Sequence, residues 1–220
     1  MSVYLPNGSK FYIGSTYGAD KTFDSISNAS EAIASFAADP AIIAGDLFEV
    51  TSGWERLNKR VVRAKTVSGA GPYLVTFEGI DTTDTNLFPA GNGAGTVREI
   101  SAWTEITQVE SPETSGGEQQ FVNYQPVSDD LEKRLPSYRS AQGLKLTFFD
   151  DPALAWVAAV QSASDNNQTL YAVKIELKSG ARIFASGYWT LQEMPSMQAN
   201  TPMKSTIDIA YAGRVTRYAS

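Results

Sequence analysis

Apolar and polar positions alternate along most of this chain, and only one segment carries apolar residues at helical spacing. The cleanest alternation runs from Leu170 to Lys178. Tyr171, Val173, Ile175 and Leu177 fall on one side of an extended chain, with Ala172, Lys174, Glu176 and Lys178 on the other. Ser179-Gly180 then supplies a tight turn, and Ile183, Ala185, Gly187, Trp189 and Leu191 continue the apolar side on a hairpin partner, Arg182 to Leu191. Lys204 to Tyr211 alternates in the same way, and Gly143 to Phe149 forms a further strand ahead of them. Each of these strands is expected to bury one side.

The helical segment lies between Phe149 and Leu170. Asp150 or Asp151 is placed to accept from the free amides of a first turn, and Pro152 suits the first helical position, where its missing donor costs nothing. Ala153, Trp156, Val157 and Val160 form one apolar stripe, and Asp165-Asn166-Asn167 ends the helix. A lone helix with a single stripe must pack on a sheet or plug the end of a barrel.

The first half of the chain is made of shorter runs bounded by Gly, Asp, Asn or Pro. Lys10 to Gly14 reads as a first strand, Ser15 to Thr22 as a loop, and Glu31 to Ala37, Leu47 to Val50, Leu57 to Lys65 and Tyr73 to Glu78 as short extended runs. Between Ser30 and Ala38 the alanines favour helix, yet Ala32, Ala34 and Phe36 also fit one side of a strand, so propensity leaves both open. Pro89 to Gly95 reads as a flexible connection before Thr96 to Ile100.

Composition narrows the chemistry. With no cysteine and no histidine, disulfides, serine-histidine triads, cysteine nucleophiles and ordinary zinc sites are excluded. Met1-Ser2-Val3-Tyr4-Leu5-Pro6 lacks the basic and apolar regions of a signal peptide, and no apolar run reaches membrane-spanning length, so the product is expected in the cytosol when made, with no membrane partner. The net charge of -6 is concentrated: Glu99, Glu105, Glu110, Glu113, Glu118, Asp129, Asp130 and Glu132 follow one another without a lysine or arginine between Arg98 and Lys133. That window is either a solvated loop or a functional acidic surface. No basic stripe is present to hold nucleic acid. Asp150-Asp151 reads as a helix cap rather than a carboxylate pair, Asp129-Asp130-Glu132 lacks the spacing of a calcium loop, and Gly91-Asn92-Gly93-Ala94-Gly95 lacks the lysine-serine pair of a phosphate cradle. The tryptophans read as core or interface packing. No catalytic constellation, cofactor site or metal site emerges.

Several of these segments together resemble a known family. Gly116-Gly117-Glu118-Gln119-Gln120-Phe121-Val122-Asn123-Tyr124, the polar stretch to Leu135-Pro136-Ser137, Leu144 to Pro152 and the ending Ile207-Asp208-Ile209-Ala210-Tyr211-Ala212-Gly213-Arg214-Val215 are similar to the major tail tube protein of long, non-contractile-tailed bacteriophages. The resemblance implies a mainly β fold, a β-sandwich or split barrel with one flanking helix, and no enzyme activity. It implies a structural virion protein whose copies form rings, stacked into a hollow tube through which double-stranded DNA leaves the capsid. Its implied partners are further copies of itself and the tape measure, tail tip and tail terminator proteins.

The family pattern is carried by residues 1–22 and 101–220. Residues 23–100 resemble a small β module of virion proteins, with Gly45 to Val50 and Thr76 to Asp81, read as an insertion on the outside of the tube; a larger edge of the same sandwich is the other reading. A single tube unit per chain implies hexameric rings. In the family a long loop reaches the adjacent ring, and here it maps to about Ser111 to Gln142. Gly116, Gly117, Asp129, Asp130, Glu132, Lys133, Arg134 and Arg139 are therefore the candidate inter-ring residues, and Glu99, Glu105, Glu110, Glu113 and Glu118 the candidate acids of the bore. A carbohydrate-binding or host-attachment module and a hydrolase using two carboxylates are the rival classes.

Overall fold

A computed structural model describes residues 7–69 and 71–219. The amino-terminal Met1-Pro6 stretch discussed above lies outside the described residues. In chain order the strands are β1 (Lys10–Phe23), β2 (Ser25–Ile26), β3 (Ile33–Phe36), β4 (Leu47–Ser52), β5 (Arg60–Ser68), β6 (Tyr73–Phe77), β7 (Gly95–Ile106) and β8 (Val109–Ser115). There follow β9 (Gln119–Tyr124), β10 (Lys133–Arg139), β11 (Gly143–Phe149), the helix α1 (Ala155–Asp165), β12 (Tyr171–Glu176), β13 (Arg182–Leu191), β14 (Lys204–Tyr211) and β15 (Thr216–Tyr218). One large antiparallel sheet runs β2-β3-β6-β5-β4-β7-β1-β12-β13-β14-β11-β8, with β15 also paired to β13, and β9 and β10 form a separate hairpin. The fold is mainly β, with one helix against the sheet.

The sequence pattern dictates the carboxy-terminal half closely. Val173 pairs with Ala185, Trp189 with Ile209, and Ile207 with Leu146, so the apolar positions of β12, β13, β14 and β11 form one continuous surface. Trp156, Val160 and Ala163 of α1 close over it, and Phe11, Ile13 and Ile106 extend it across β1 and β7. Trp156 meets Phe148 edge-on at 4.8 Å and donates from its indole nitrogen to Thr107 Oγ1 at 3.1 Å. Burial of this kind, at roughly 25 cal/mol per Å² of apolar surface, is what holds a short helix of ordinary propensity in place.

A second core fills the other end. Phe23, Phe36, Phe48 and Phe77 pack through edge and tilted contacts with ring centroids 5.1 to 6.1 Å apart, together with Trp54, Val62, Val75 and Val97. The sheet also curls on itself, bringing β5 against β13 and β15 around Val61, Ile100, Ala172, Phe184 and Tyr218. Polar contacts lock that closure: Arg63 donates its backbone N–H to Tyr218 Oη at 2.9 Å, Arg60 Nε donates to Thr216 Oγ1 at 2.8 Å, and Ser186 Oγ donates to the Lys59 carbonyl. Gly213 lies against the same Lys59 carbonyl so closely that any Cβ there would collide with it.

Several expectations are corrected. Ser15 to Thr22 is strand rather than loop, because β7 runs the whole length of β1 and bulges near Gly14 to Asp20 absorb the polar and glycine residues that read locally as a turn. Between Ser30 and Ala38 the strand alternative holds: pairing to β6 overrides the alanine propensity, and Ala32, Ala34 and Phe36 are all buried. β5 begins at Arg60, since Leu57 sits in a turn that donates its N–H back to Trp54. Pro89 to Gly95 is pinned rather than free, with Trp54 Nε1 donating to Pro89 O and Ser52 Oγ to Gly93 O, both at 2.8 Å. The helix begins at Ala155, after Leu154 in extended conformation. Asp151 Oδ1 instead accepts from Ala153 N–H at 3.1 Å, a turn ahead of the helix, so neither aspartate caps it and Pro152 is not its first residue.

Candidate functional site

Among the described residues, two surfaces are left without a partner inside the chain. The first is the side of the β8-β11-β14-β13-β12-β1-β7 sheet that faces away from α1, outside the patch of Ala172, Phe184 and Ser186 that β5 and β15 cover. Because side chains alternate, burying Leu144, Leu146, Ile207 and Ile209 beneath α1 turns Lys145 and Asp208 outward. Register sets charges in rows: Glu113, Lys145 and Asp208 are successive cross-strand neighbours on β8, β11 and β14, and Lys10, Glu176 and Arg182 on β1, β12 and β13. Glu176 is the hub of the second row, 3.2 Å from Lys174 Nζ and 3.3 Å from Arg182 Nε, and it accepts from Tyr12 Oη at 3.1 Å. Partial burial works to raise its pKa, but the Lys174 bond and charge, the Tyr12 bond and the Arg182 charge outweigh that and hold the carboxyl below its usual range. Tyr12 is pushed up to about 12 by burial and then by the Glu176 bond and charge.

The candidate acids of the bore do not share one surface. Glu105 and Glu113 lie on this outward face, and Glu110 reaches it at the sheet edge through Lys204, 2.7 Å away. Glu105 is 3.3 Å from Lys10 Nζ. Glu99 lies on the opposite side, in register with Phe48 and 3.6 Å from Lys21. Glu118 stands at the foot of the hairpin, where its N–H donates to Ser140 Oγ at 3.1 Å. The acids that appear consecutive in sequence are thus interleaved in space with lysines from distant strands.

The second surface is the β9-β10 hairpin. Ser111 to Gln142 is not a long loop: its first residues continue edge strand β8, and Gln119 to Arg139 fold into an arm in which Val122 pairs with Leu135 and Phe121 with Pro136. Gly116 and Gly117 make this possible by adopting positive φ of 73° and 84°, a backbone turn in which a side chain at Gly116 would strike Ala141 O. Beyond that foot, the arm pairs only with itself among the described residues. Phe121, Val122, Leu135 and Tyr138 remain exposed, Tyr138 by 67%, and two-stranded hairpins are marginal alone in water. At the tip Asp129 pairs with Lys133 at 2.7 Å, while Asp130 and Glu132 are exposed without a cation among the described residues. The Lys133 bond, followed by the Leu131 amide, keeps the Asp129 carboxyl low. Arg134 donates to Asn123 Oδ1 at 3.2 Å and stacks over Phe121, and Arg139 lies at the foot. Charge patterning singles out the tip and foot; the exposed apolar side chains on both faces of the arm are a separate feature, visible in sequence only as the run Phe121-Val122-Asn123-Tyr124.

Among the described residues there is no cluster of acidic side chains arranged to hold a metal ion, and no helix long and apolar enough to cross a membrane.

No curated protein matches the chain. Solved structures similar to part of this chain include two from the anti-feeding prophage. One is the cryo-EM structure of the anti-feeding prophage (AFP) baseplate, 6-fold symmetrised, at 10% identity and TM-score 0.38, covering 54% of this chain and 85% of that one. The other is the AFP tube terminating cap, at 19% identity and TM-score 0.38, covering 53% and 83%. The sequence profile of the phage tail tube protein (TTP) matches residues 52–220, beginning in β4 and running through the β9-β10 arm, α1 and the terminal strands, and on that match the chain belongs to the phage tail tube protein family.

Proposed function

We propose that copies of this structural tail protein close into hexameric rings and that the rings stack into a hollow tube that conducts double-stranded DNA. The observation that carries this reading is the β9-β10 arm, which stands clear of the sheet and exposes Phe121, Val122, Leu135 and Tyr138. An arm of that kind gains stability by lying on another molecule, and contact between unlike patches of identical chains propagates into rings and stacks. The arm reaches the adjacent ring. Residues 23–100, with the Phe23 to Val97 core, form a module on the outside of the tube. Tape measure, tail tip and tail terminator proteins meet the ends of the stack.

The outward sheet face lines the bore in this reading. Its lysines Lys10, Lys145 and Lys204 each lie beside a carboxylate, Glu105, Glu113 and Glu110 respectively. A lysine already neutralised by a neighbour has little hold on a phosphate, so DNA can slide.

Negative-stain microscopy of the concentrated full chain tests the proposal. Hollow rods or stacked rings are expected, and a chain lacking residues 119–139 should stay folded yet form none. A small discrete oligomer with saturable glycan binding would instead mark an attachment module.

A further inference from the structure

Three arginines converge where the arm leaves the sheet. Arg60 opens β5, Arg139 closes β10 and Arg214 lies between β14 and β15, and together they line a cleft of about 490 Å³ in which Glu55 is the one acidic side chain. None of the three belongs to an ion pair among the described residues. Arg60 Nε is occupied by Thr216 Oγ1 at 2.8 Å, which fixes that guanidinium at the cleft wall. Partial burial, and after it the charges of Arg56 and Arg139, press the Arg214 pKa down, in keeping with three cationic side chains gathered at one cleft. Such a gathering is stabilised by an anion brought from outside.

The same chain carries the matching group but cannot deliver it to itself. Asp130 and Glu132 are exposed at the arm tip without a cation among the described residues, yet the tip stands about 20 Å from its own foot at roughly 3.3 Å per strand residue. We infer that the acidic arm tip of one copy, through Asp130 and Glu132, docks in the Arg60-Arg139-Arg214 cleft at the foot of the arm of a second copy. This deepens the tube reading and rests on it. The contact joins unlike surfaces, so every docked copy offers a fresh cleft or tip to the next and the chain of contacts propagates. DNA is the weaker occupant, because three arginines in one cleft on a chain of net charge -6 make no stripe that follows a duplex.

Charge swapping tests the pairing. Asp130→Lys with Glu132→Lys reverses the tip, and Arg139→Glu with Arg214→Glu reverses two exposed members of the cleft, leaving Arg60 and its bond in place. Each pair of substitutions should lower the mass of sedimentable rods about tenfold or more at moderate salt, with an unchanged melting temperature, and the chain carrying all four should recover them. Rods from either reversed variant at the parent's level, or no recovery in the swapped chain, would overturn the pairing while leaving the tube reading intact. A parent chain that makes neither rings nor rods overturns both. A short DNA duplex that binds the parent and not the cleft variant would make the cleft a phosphate site and sink the assignment of the tip.

Discussion

Arg98 on β7 and Glu49 on β4 face each other in register, with Arg98 Nη2 2.6 Å from a Glu49 carboxylate oxygen that is nearly sealed from water, the residue being 6% exposed. Arg98 also donates to Leu170 O at 3.2 Å and lies over the Tyr17 ring at 4.2 Å, while Tyr17 Oη accepts from Ala172 N–H at 2.7 Å. One guanidinium thus ties β4, β7, β1 and the approach to β12. Removing it strands a buried carboxylate. Arg98→Ala is expected to cost about 3 kcal/mol, the lower end for breaking a buried pair, because Arg98 itself is partly exposed. Urea denaturation of both variants checks this, and Glu49→Gln, which keeps a hydrogen-bond acceptor, should lose less.

Trp156 is the anchor of α1. Its ring is buried against Phe148, its indole N–H is matched by Thr107, and the helix has no side-chain cap to stabilise it otherwise. Trp156→Ala should destabilise the chain by about 3–5 kcal/mol, and Trp156→Phe by clearly less. Thermal melts followed by circular dichroism would register the loss; equal melting temperatures for wild type and Trp156→Ala would refute the anchor role.

Alkaline stability depends on tyrosines. Burial, the leading cause in each, raises Tyr12, Tyr211 and Tyr218 to about 12 and Tyr17 further, against an ordinary value near 10. A raised folded-state pKa means the contribution is whole below pH 10 and is lost as pH climbs through about 12. The acidic counterpart is Glu176, whose lowered pKa gives stability above the ordinary glutamate range that disappears as pH falls through its folded value. Tyrosinate absorbance should show these four of the ten tyrosines ionising only near or with unfolding.

On the sheet face, replacing Glu105, Glu110 and Glu113 together with glutamine removes the ion-pair partners of Lys10 and Lys204 and one of the two carboxylates, Glu113 and Asp208, that flank Lys145. Assembly should persist, since exposed pairs of this type contribute about 0–1 kcal/mol each. Rods of the variant should retain added duplex DNA at low salt and release it as salt rises. Rods that bind no more DNA than wild type would count against this face as the bore.

Sequence periodicity reveals what depends on local alternation. The β11-α1-β12-β13-β14 order, the Ser179-Gly180 turn and the strand sides buried beneath α1 are all readable from local alternation, whereas the second buried side at Ala172, Phe184 and Ser186, covered by β5 and β15, is not. Ser15 to Thr22 hides its strand because the pairing that orders it comes from β7, about eighty residues away in sequence. The acidic window misleads for a related reason. Glu99, Glu105 and Glu110 look unopposed in sequence, yet Lys21, Lys10 and Lys204 reach them from other strands. The cleft at the arm's foot is assembled from β5, β10 and the segment after β14, so no local pattern announces it.

The β1-β7 ribbon, whose strands run 14 and 12 residues, passes from the Phe11-Ile106 contact in one core to Phe23 and Val97 in the other. At roughly 3.3 Å per residue β1 spans about 45 Å. Mechanically it is a beam clamped at both ends, with Arg98 and Glu49 as a cross-brace beside the Phe23-Val97 end. A load applied at the Phe23-Val97 core passes along this beam into the sheet beneath α1, so pulling on one end should rupture both cores in a single force event.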